Sequence, residues 1–199
     1  MSIRRVITEP PWSTRSSTAD ELVLRGRTER ELWGFGQHPA TSLCLSVLAG
    51  LYASNAPRPR RVVELSCGSG LLCIAAAALG AESVIGLDES DTTRALADEN
   101  ARLNNAQVRF QSGSAHTDPT ATDLAIANLT AQELHESATR IAQLAPRGLL
   151  LAAGFLESER ETVEQRFIAL GFRFLYRETR EEFLASVFKA RAGDLITRA

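Results

Sequence analysis

The sequence predicts a single doubly wound α/β domain. It has a seven-stranded, mostly parallel sheet, helices on both faces and an antiparallel hairpin at the end. Three observations predict it. From Arg61 onward, short apolar runs alternate with segments of helical periodicity. A glycine-rich turn, Cys67 to Gly70, directly follows the first of these runs. The last two runs are joined by a short polar stretch, whereas a parallel crossover needs about a dozen residues, so they pair as a hairpin.

The elements follow in order. Residues 1–33 read as an N-terminal extension: Pro10, Pro11 and the Ser/Thr-rich stretch Ser13 to Thr18 predict loop, followed by a short strand at Glu21 to Arg25. Pro39 opens a helix in which Leu43, Val47, Leu48 and Leu51 recur at helical spacing, and Asn55 to Pro59 ends it. Val62 to Leu65 is a short buried strand. After the glycine turn comes the helix Leu71 to Leu79, which Gly80 stops. Ser83 to Leu87 is the second strand, and Ser90 or Asp91 caps a helix running to about Leu103. Gln107 to Gln111 is the third strand, with a polar loop after it. Leu124 to Ala127 is the fourth, and the next helix aligns Leu134, Ala138, Ile141 and Ala145 on one face. Leu149 to Ala153 is the fifth strand. Val163, Phe167 and Leu170 mark a helix that ends at Gly171. Phe172 to Tyr176 and Phe183 to Phe188 make the hairpin. The Rossmann-like domain thus spans residues 34–190 and leaves 191–199 as a C-terminal tail.

Composition narrows the function classes. At 199 residues, 44% hydrophobic and 23% charged, the chain has the balance of a globular domain with its own core. A net charge of −2 gives no electrostatic reason to expect nucleic acid. The longest apolar run, Leu71 to Leu79, is too short to span a bilayer, and no secretory signal follows Arg4 and Arg5, so the cytoplasm is the expected compartment. Cys44, Cys67 and Cys73 form no C-x-x-C pair and are expected as reduced thiols; no metal site is expected. Oligomeric state has no signature in the sequence.

Four places carry chemistry. The turn after the first strand (Glu64, Leu65, Ser66, Cys67, Gly68, Ser69, Gly70) lets backbone approach a ligand, and the helix behind it offers N–H groups to an anion. The same turn can also be a mere strand-to-helix connection. Asp88, 18 residues beyond Gly70, ends the second strand with Glu89 after it. An acid there can accept hydrogen bonds from both ribose hydroxyls of an adenosine, or can simply complement a helix dipole. Asn128 ends the fourth strand, where an amide can orient a nucleophile or cap the helix beyond. Ser114, in the loop Ser112, Gly113, Ser114 after the third strand, lies where an adenine would, or in an ordinary turn.

Residues 62–72 resemble the first motif of class I S-adenosylmethionine-dependent methyltransferases. Three further stretches resemble the branch that methylates a large-subunit ribosomal protein, the PrmA type: Gly34 to Thr41, with Phe35, Gly36, His38 and Pro39; Glu99 to Asn104, beginning Glu99, Asn100, Ala101; and Ala127 to Ala131, around Asn128. The resemblance covers about residues 33–190. It implies that Glu64, Gly68 and Gly70 line the methionine end of S-adenosylmethionine, with Ser66 beside them a further candidate for cofactor binding. Asp88, Glu89 and Ser114 take the adenosine end, Asn128 faces the methyl group, and Phe35 to Thr41 closes over the cofactor. It implies a protein side chain with a lysine-type nitrogen, or a small molecule, as acceptor.

Departures from the family pattern define further expectations. Ser66 stands where the first glycine is usual, so its Cβ crowds the ligand or its hydroxyl binds it. The Phe35 segment is about two residues shorter than the family's. About 33 residues precede the shared region, too few for the family's N-terminal substrate domain. A lysine acceptor has to lose a proton from a group of solution pKa near 10.4. His38 is the candidate base, or it merely precedes Pro39 at a helix start. Two rival readings remain: a nicotinamide-dependent oxidoreductase, for which the third fingerprint glycine falls on Cys73, and a non-catalytic binding protein, for which Ser66 speaks.

Overall fold

The computed structural model describes residues 3, 5–27, 36–113 and 122–191. Two N-terminal strands, β1 (Arg5–Glu9) and β2 (Glu21–Arg25), pair parallel in a small separate sheet. Strand β2 was expected. Strand β1 was not, because its five residues are only partly shielded and show no strong apolar alternation. Leu24 is buried in the core beside α1 (Pro39–Ala53), and Arg5 and Arg15 both pair with the buried Glu21 carboxylate.

The main sheet follows the expected alternation: β3 (Arg61–Leu65), α2 (Leu71–Leu79), β4 (Ser83–Asp88), α3 (Asp91–Leu103), β5 (Arg109–Ser112), β6 (Leu124–Asn128), α4 (Ala131–Leu144), β7 (Leu149–Leu156), α5 (Arg160–Ala169), β8 (Phe172–Arg180) and β9 (Phe183–Ala190). A 3-10 turn at Glu157–Glu159 links β7 to α5. The strand order is β5-β4-β3-β6-β7-β9-β8, all parallel up to β7, with β9 antiparallel between β7 and β8. Strands β7, β8 and β9 run longer than expected. The β8–β9 ladder continues to Arg180 and Phe183 around a tight Glu181–Glu182 turn, with Glu181 at φ +55°.

Alternation along the strands builds two cores. Val62, Leu124, Ile126, Leu151 and Ala153 face α1 and α2 on one side. Val63, Leu65, Ala125, Ala127, Leu150 and Ala152 face α4 and α5 on the other. Glu164 of α5 pins the hairpin: Arg177 donates twice to its carboxylate at 2.9 Å, and the Ser186 hydroxyl donates at 2.8 Å.

This topology fixes where a ligand can sit. The chain leaves β3 for β4 on one side and β6 pairs with β3 on the other, so a crevice opens at the carboxyl end of β3.

Candidate active site

The turn after β3 reverses the chain through left-handed conformations at Ser66 (φ +54°), Gly68 (φ +53°) and Gly70 (φ +76°). The Cys67 N–H donates to the Leu87 carbonyl at 3.0 Å, and the Gly70 N–H to the Cys67 carbonyl at 2.9 Å. Gly68 and Gly70 are glycines for different reasons. A Cβ on Gly68 meets nothing within 4 Å, so its α-carbon faces open space. A Cβ on Gly70 comes within 2.7 Å of Phe110 and 2.9 Å of Ala97. Gly70 therefore serves the packing of α2 and does not line the crevice, contrary to the expectation from its place in the motif. Ser66 pays for the conformation that glycine adopts without strain, and its exposed side chain is one wall of the crevice.

Glu64, 3% exposed, sits under the first turn of α2. Its Oε2 accepts the Cys73 backbone N–H at 3.1 Å and the Cys73 thiol at 2.9 Å. Helix α2 has no side-chain cap at Gly70, so Glu64 serves one of its open N–H groups from below. Burial pushes the Glu64 carboxyl up to about 8; the Cys73 bonds oppose this, and the Asp88 charge adds to it.

Asp88, at the end of β4, accepts the Gly68 N–H on Oδ2 and the Ser90 N–H on Oδ1, both at 3.0 Å. Each carboxylate oxygen retains acceptor capacity for a ligand hydroxyl. At the end of β6, Asn128 Nδ2 donates to Thr41 Oγ1 at 3.2 Å, while its buried Oδ1 has no partner among the described residues. Thr41 engages one end of the amide and leaves the other unsatisfied. Asn128 is not the helix cap: Thr130 caps α4 in a reciprocal box with Glu133. The stretch beyond Asn128 is seated against β7. The Leu129 N–H donates to the Ala153 carbonyl at 2.9 Å, and a Cβ on Gly154 would fall 2.4 Å from the Leu129 carbonyl.

Thr41, Glu64, Ser66, Gly68, Asp88 and Asn128 come together around one cleft of about 200 Å³. That space exceeds several waters at about 30 Å³ each, so side-chain packing does not fill it. Leu72 and Glu133 also line it. Glu133 was not singled out from sequence, although the Thr130, Glu133 spacing of a capping box was there to read. The lining holds three carboxylates (Glu64, Asp88, Glu133) and no Lys, Arg or His among the described residues.

Other expected residues lie elsewhere. His38 is the N-cap of α1: its Nδ1 accepts the Ala40 N–H at 3.2 Å and its ring meets Phe183 edge-on at 4.7 Å. Desolvation holds its pKa below the ordinary value, against the Glu181 charge. It stands at the start of α1, as its helix-start reading has it, and is not among the residues lining the cleft. Glu89 is exposed and lies over the Gly113 backbone, also outside the lining. Phe35 and Ser114 fall outside the described residues. Among the described residues no group of three or more His, Cys, Asp or Glu is placed to hold a metal, and no helix is long and apolar enough to cross a membrane.

The sheet order, the glycine turn and the acid ending the adjacent strand define the class I methyltransferase fold. Solved structures share it, among them two methyltransferases. A ribosomal protein L11 methylase from Lactobacillus delbrueckii subsp. bulgaricus superposes with a TM-score of 0.77 at 24% identity, over 94% of this chain and 95% of that one. A magnesium protoporphyrin IX methyltransferase from Synechocystis PCC 6803 with bound S-adenosylmethionine gives a TM-score of 0.60 at 22% identity, over 81% and 89% of the two chains. Within this class the family is also defined: the model of the ribosomal protein L11 methyltransferase (PrmA) family matches residues 3–191, and the chain belongs to that family. Ribosomal protein L11 methyltransferases from Syntrophotalea carbinolica and Geotalea uraniireducens are 34% and 30% identical to it over 84% and 93% of the chain. The chain spans 55% and 62% of the length of these two relatives.

Proposed function

We propose that the chain binds S-adenosylmethionine in this cleft and methylates an amine nitrogen of a protein in the cytoplasm, with ribosomal protein L11 as the candidate acceptor. The observation that carries the reading is the buried Asn128 Oδ1, unpaired among the described residues at the mouth of β6 and flanking the same turn that Asp88 flanks from β4. Buried polar atoms are normally paired, so an orphan at a strand end facing a cleft asks for a partner from a ligand.

The residues present suit the cofactor. Gly68 has room for close approach, and the α2 N-terminus favours a carboxylate. Asp88 has acceptor capacity for the ribose hydroxyls. Bound there, the cofactor supplies a methyl group on a sulfonium whose positive charge vanishes as the methyl leaves. The chain contributes alignment. Asn128 Oδ1 accepts an N–H of the incoming amine and turns its lone pair toward the methyl carbon. The Asp88 and Glu133 side chains in the lining favour a cationic acceptor over a phosphate-bearing one. Among the described residues the lining has no His, Lys or Arg, and the Glu64 carboxyl is held by Cys73, so in this reading the amine loses its proton to solvent before it reacts.

The test is incubation with cofactor radiolabelled on the methyl group, together with ribosomal protein L11 and a fractionated lysate. Label in protein amines is expected. Label confined to small metabolites would replace the acceptor class, and no transfer at all would favour a non-catalytic role.

A further inference from the structure

Asn100 and Asn104 lie one turn apart on α3 and grip the N-terminal segment as a neighbouring strand would. Asn104 Oδ1 accepts the Arg25 N–H at 2.8 Å, and its Nδ2 donates to the Arg25 carbonyl. Asn100 repeats this at Arg27, accepting the N–H at 2.8 Å and donating to the carbonyl at 3.0 Å. The spacing matches: four residues of helix rise about 6 Å and two residues of strand about 6.6 Å. Two side-chain amides on a helix thus stand in for a strand edge.

The asparagines differ at one hydrogen. The second Nδ2 hydrogen of Asn104 stays within α3, on the Asn100 carbonyl at 2.7 Å. That of Asn100 goes to the Ser69 carbonyl at 2.9 Å, in the glycine turn that lines the cleft. Asn100 is 1% exposed, so water cannot replace these bonds.

We infer that Asn100 is a positioning residue that couples docking of the segment around Arg27 to the geometry of the cofactor turn. With Arg27 docked, both faces of the Asn100 amide are fixed and the amide holds Ser69. With Arg27 released, the amide loses two of its three partners and the Ser69 carbonyl loses a fixed donor. Coupling is reciprocal, so filling the cleft tightens the N-terminal segment. The inference rests on the proposed cofactor site.

Calorimetric titration of S-adenosylmethionine into the wild type, Asn100→Ala and Asn104→Ala tests it. Each variant loses two bonds to the N-terminal segment, but only the first loses the bond to the turn. Asn100→Ala is expected to weaken binding about tenfold and Asn104→Ala less than about threefold, from the cost of an unpaired buried group. Equal effects overturn the inference. If Asn100→Ala does not fold, amide hydrogen exchange of the wild type decides: the cofactor slows exchange at Arg25 and Arg27, and unchanged exchange overturns the coupling. A wild type that does not bind the cofactor takes down the cofactor site itself, which distinguishes the two failures.

Discussion

The Gly68 backbone N–H donates to the Asp88 carboxylate at 3.0 Å, so the glycine turn and the acid of the neighbouring strand form one unit. The same carboxylate, through its other oxygen, holds Ser90, the cap of α3. Asp88 thereby ties together three elements at the rim of the crevice and still has acceptor capacity for a ligand.

Ser66 is strained. Replacing it with glycine relieves a left-handed conformation costing about 1–2 kcal/mol, partly offset by the extra entropy of glycine in the unfolded chain. Ser66→Gly is expected to stabilise the protein by roughly 0.5–1 kcal/mol, raising Tm by a few degrees. A melting curve checks this, and a lowered Tm would mean that the hydroxyl makes a bond worth more than the strain.

Glu64 gives stability a distinctive pH dependence. Its carboxyl is raised from 4.5 to about 8 in the fold, so the native state holds more protons than the unfolded state between these values. Its contribution is full below about pH 4.5 and is lost as pH rises through about 8. Glu64→Gln removes this loss. Urea unfolding from pH 5 to 9 should show the variant gaining on the wild type up to about pH 8 and no further. Parallel curves would contradict the buried, protonated acid.

In the proposed reaction Asn128 orients the acceptor rather than the cofactor. Asn128→Ala is expected to lower kcat about 100-fold, the size of effect that small misplacements of a reacting group produce, with cofactor Kd little changed. Single-turnover kinetics beside calorimetry separates the two. A large loss of cofactor affinity with kcat retained would reverse the assignment.

If the amine loses its proton to solvent, as proposed for a lining with no His, Lys or Arg among the described residues, kcat/KM toward a lysine-type acceptor should rise about tenfold per pH unit below the amine's pKa near 10.4. A plateau beginning near neutrality would instead point to a side chain that takes the proton, with the raised Glu64 carboxyl the first to test.

The sequence made the main sheet legible because parallel, doubly buried strands read as unbroken apolar runs, as Leu124 to Ala127 and Leu149 to Ala153 do. Strand β1 was not legible, since its partner β2 lies beyond a proline-containing loop and neither face is deeply buried. In the site, Asp88, Asn128 and Gly68 were legible from their places at strand ends. The packing duty of Gly70 was not, because Phe110 and Ala97 reach it from elements far along the chain. That His38 accepts the Ala40 N–H and so caps α1 was not legible either, because the bond depends on the turn of the chain at Pro39. Asn100 and Asn104 stood out as a motif, but their task depends on contacts spanning more than seventy residues of sequence.

Calorimetric titration with S-adenosylmethionine, run on the wild type and on Asp88→Ala, tests the central claim most directly. One-to-one binding by the wild type, with affinity falling at least about tenfold in the variant, is the expected result, since two ribose bonds to a charged acceptor are lost. Absence of binding, binding that Asp88→Ala leaves unchanged, or binding of NADH in its place would contradict the account.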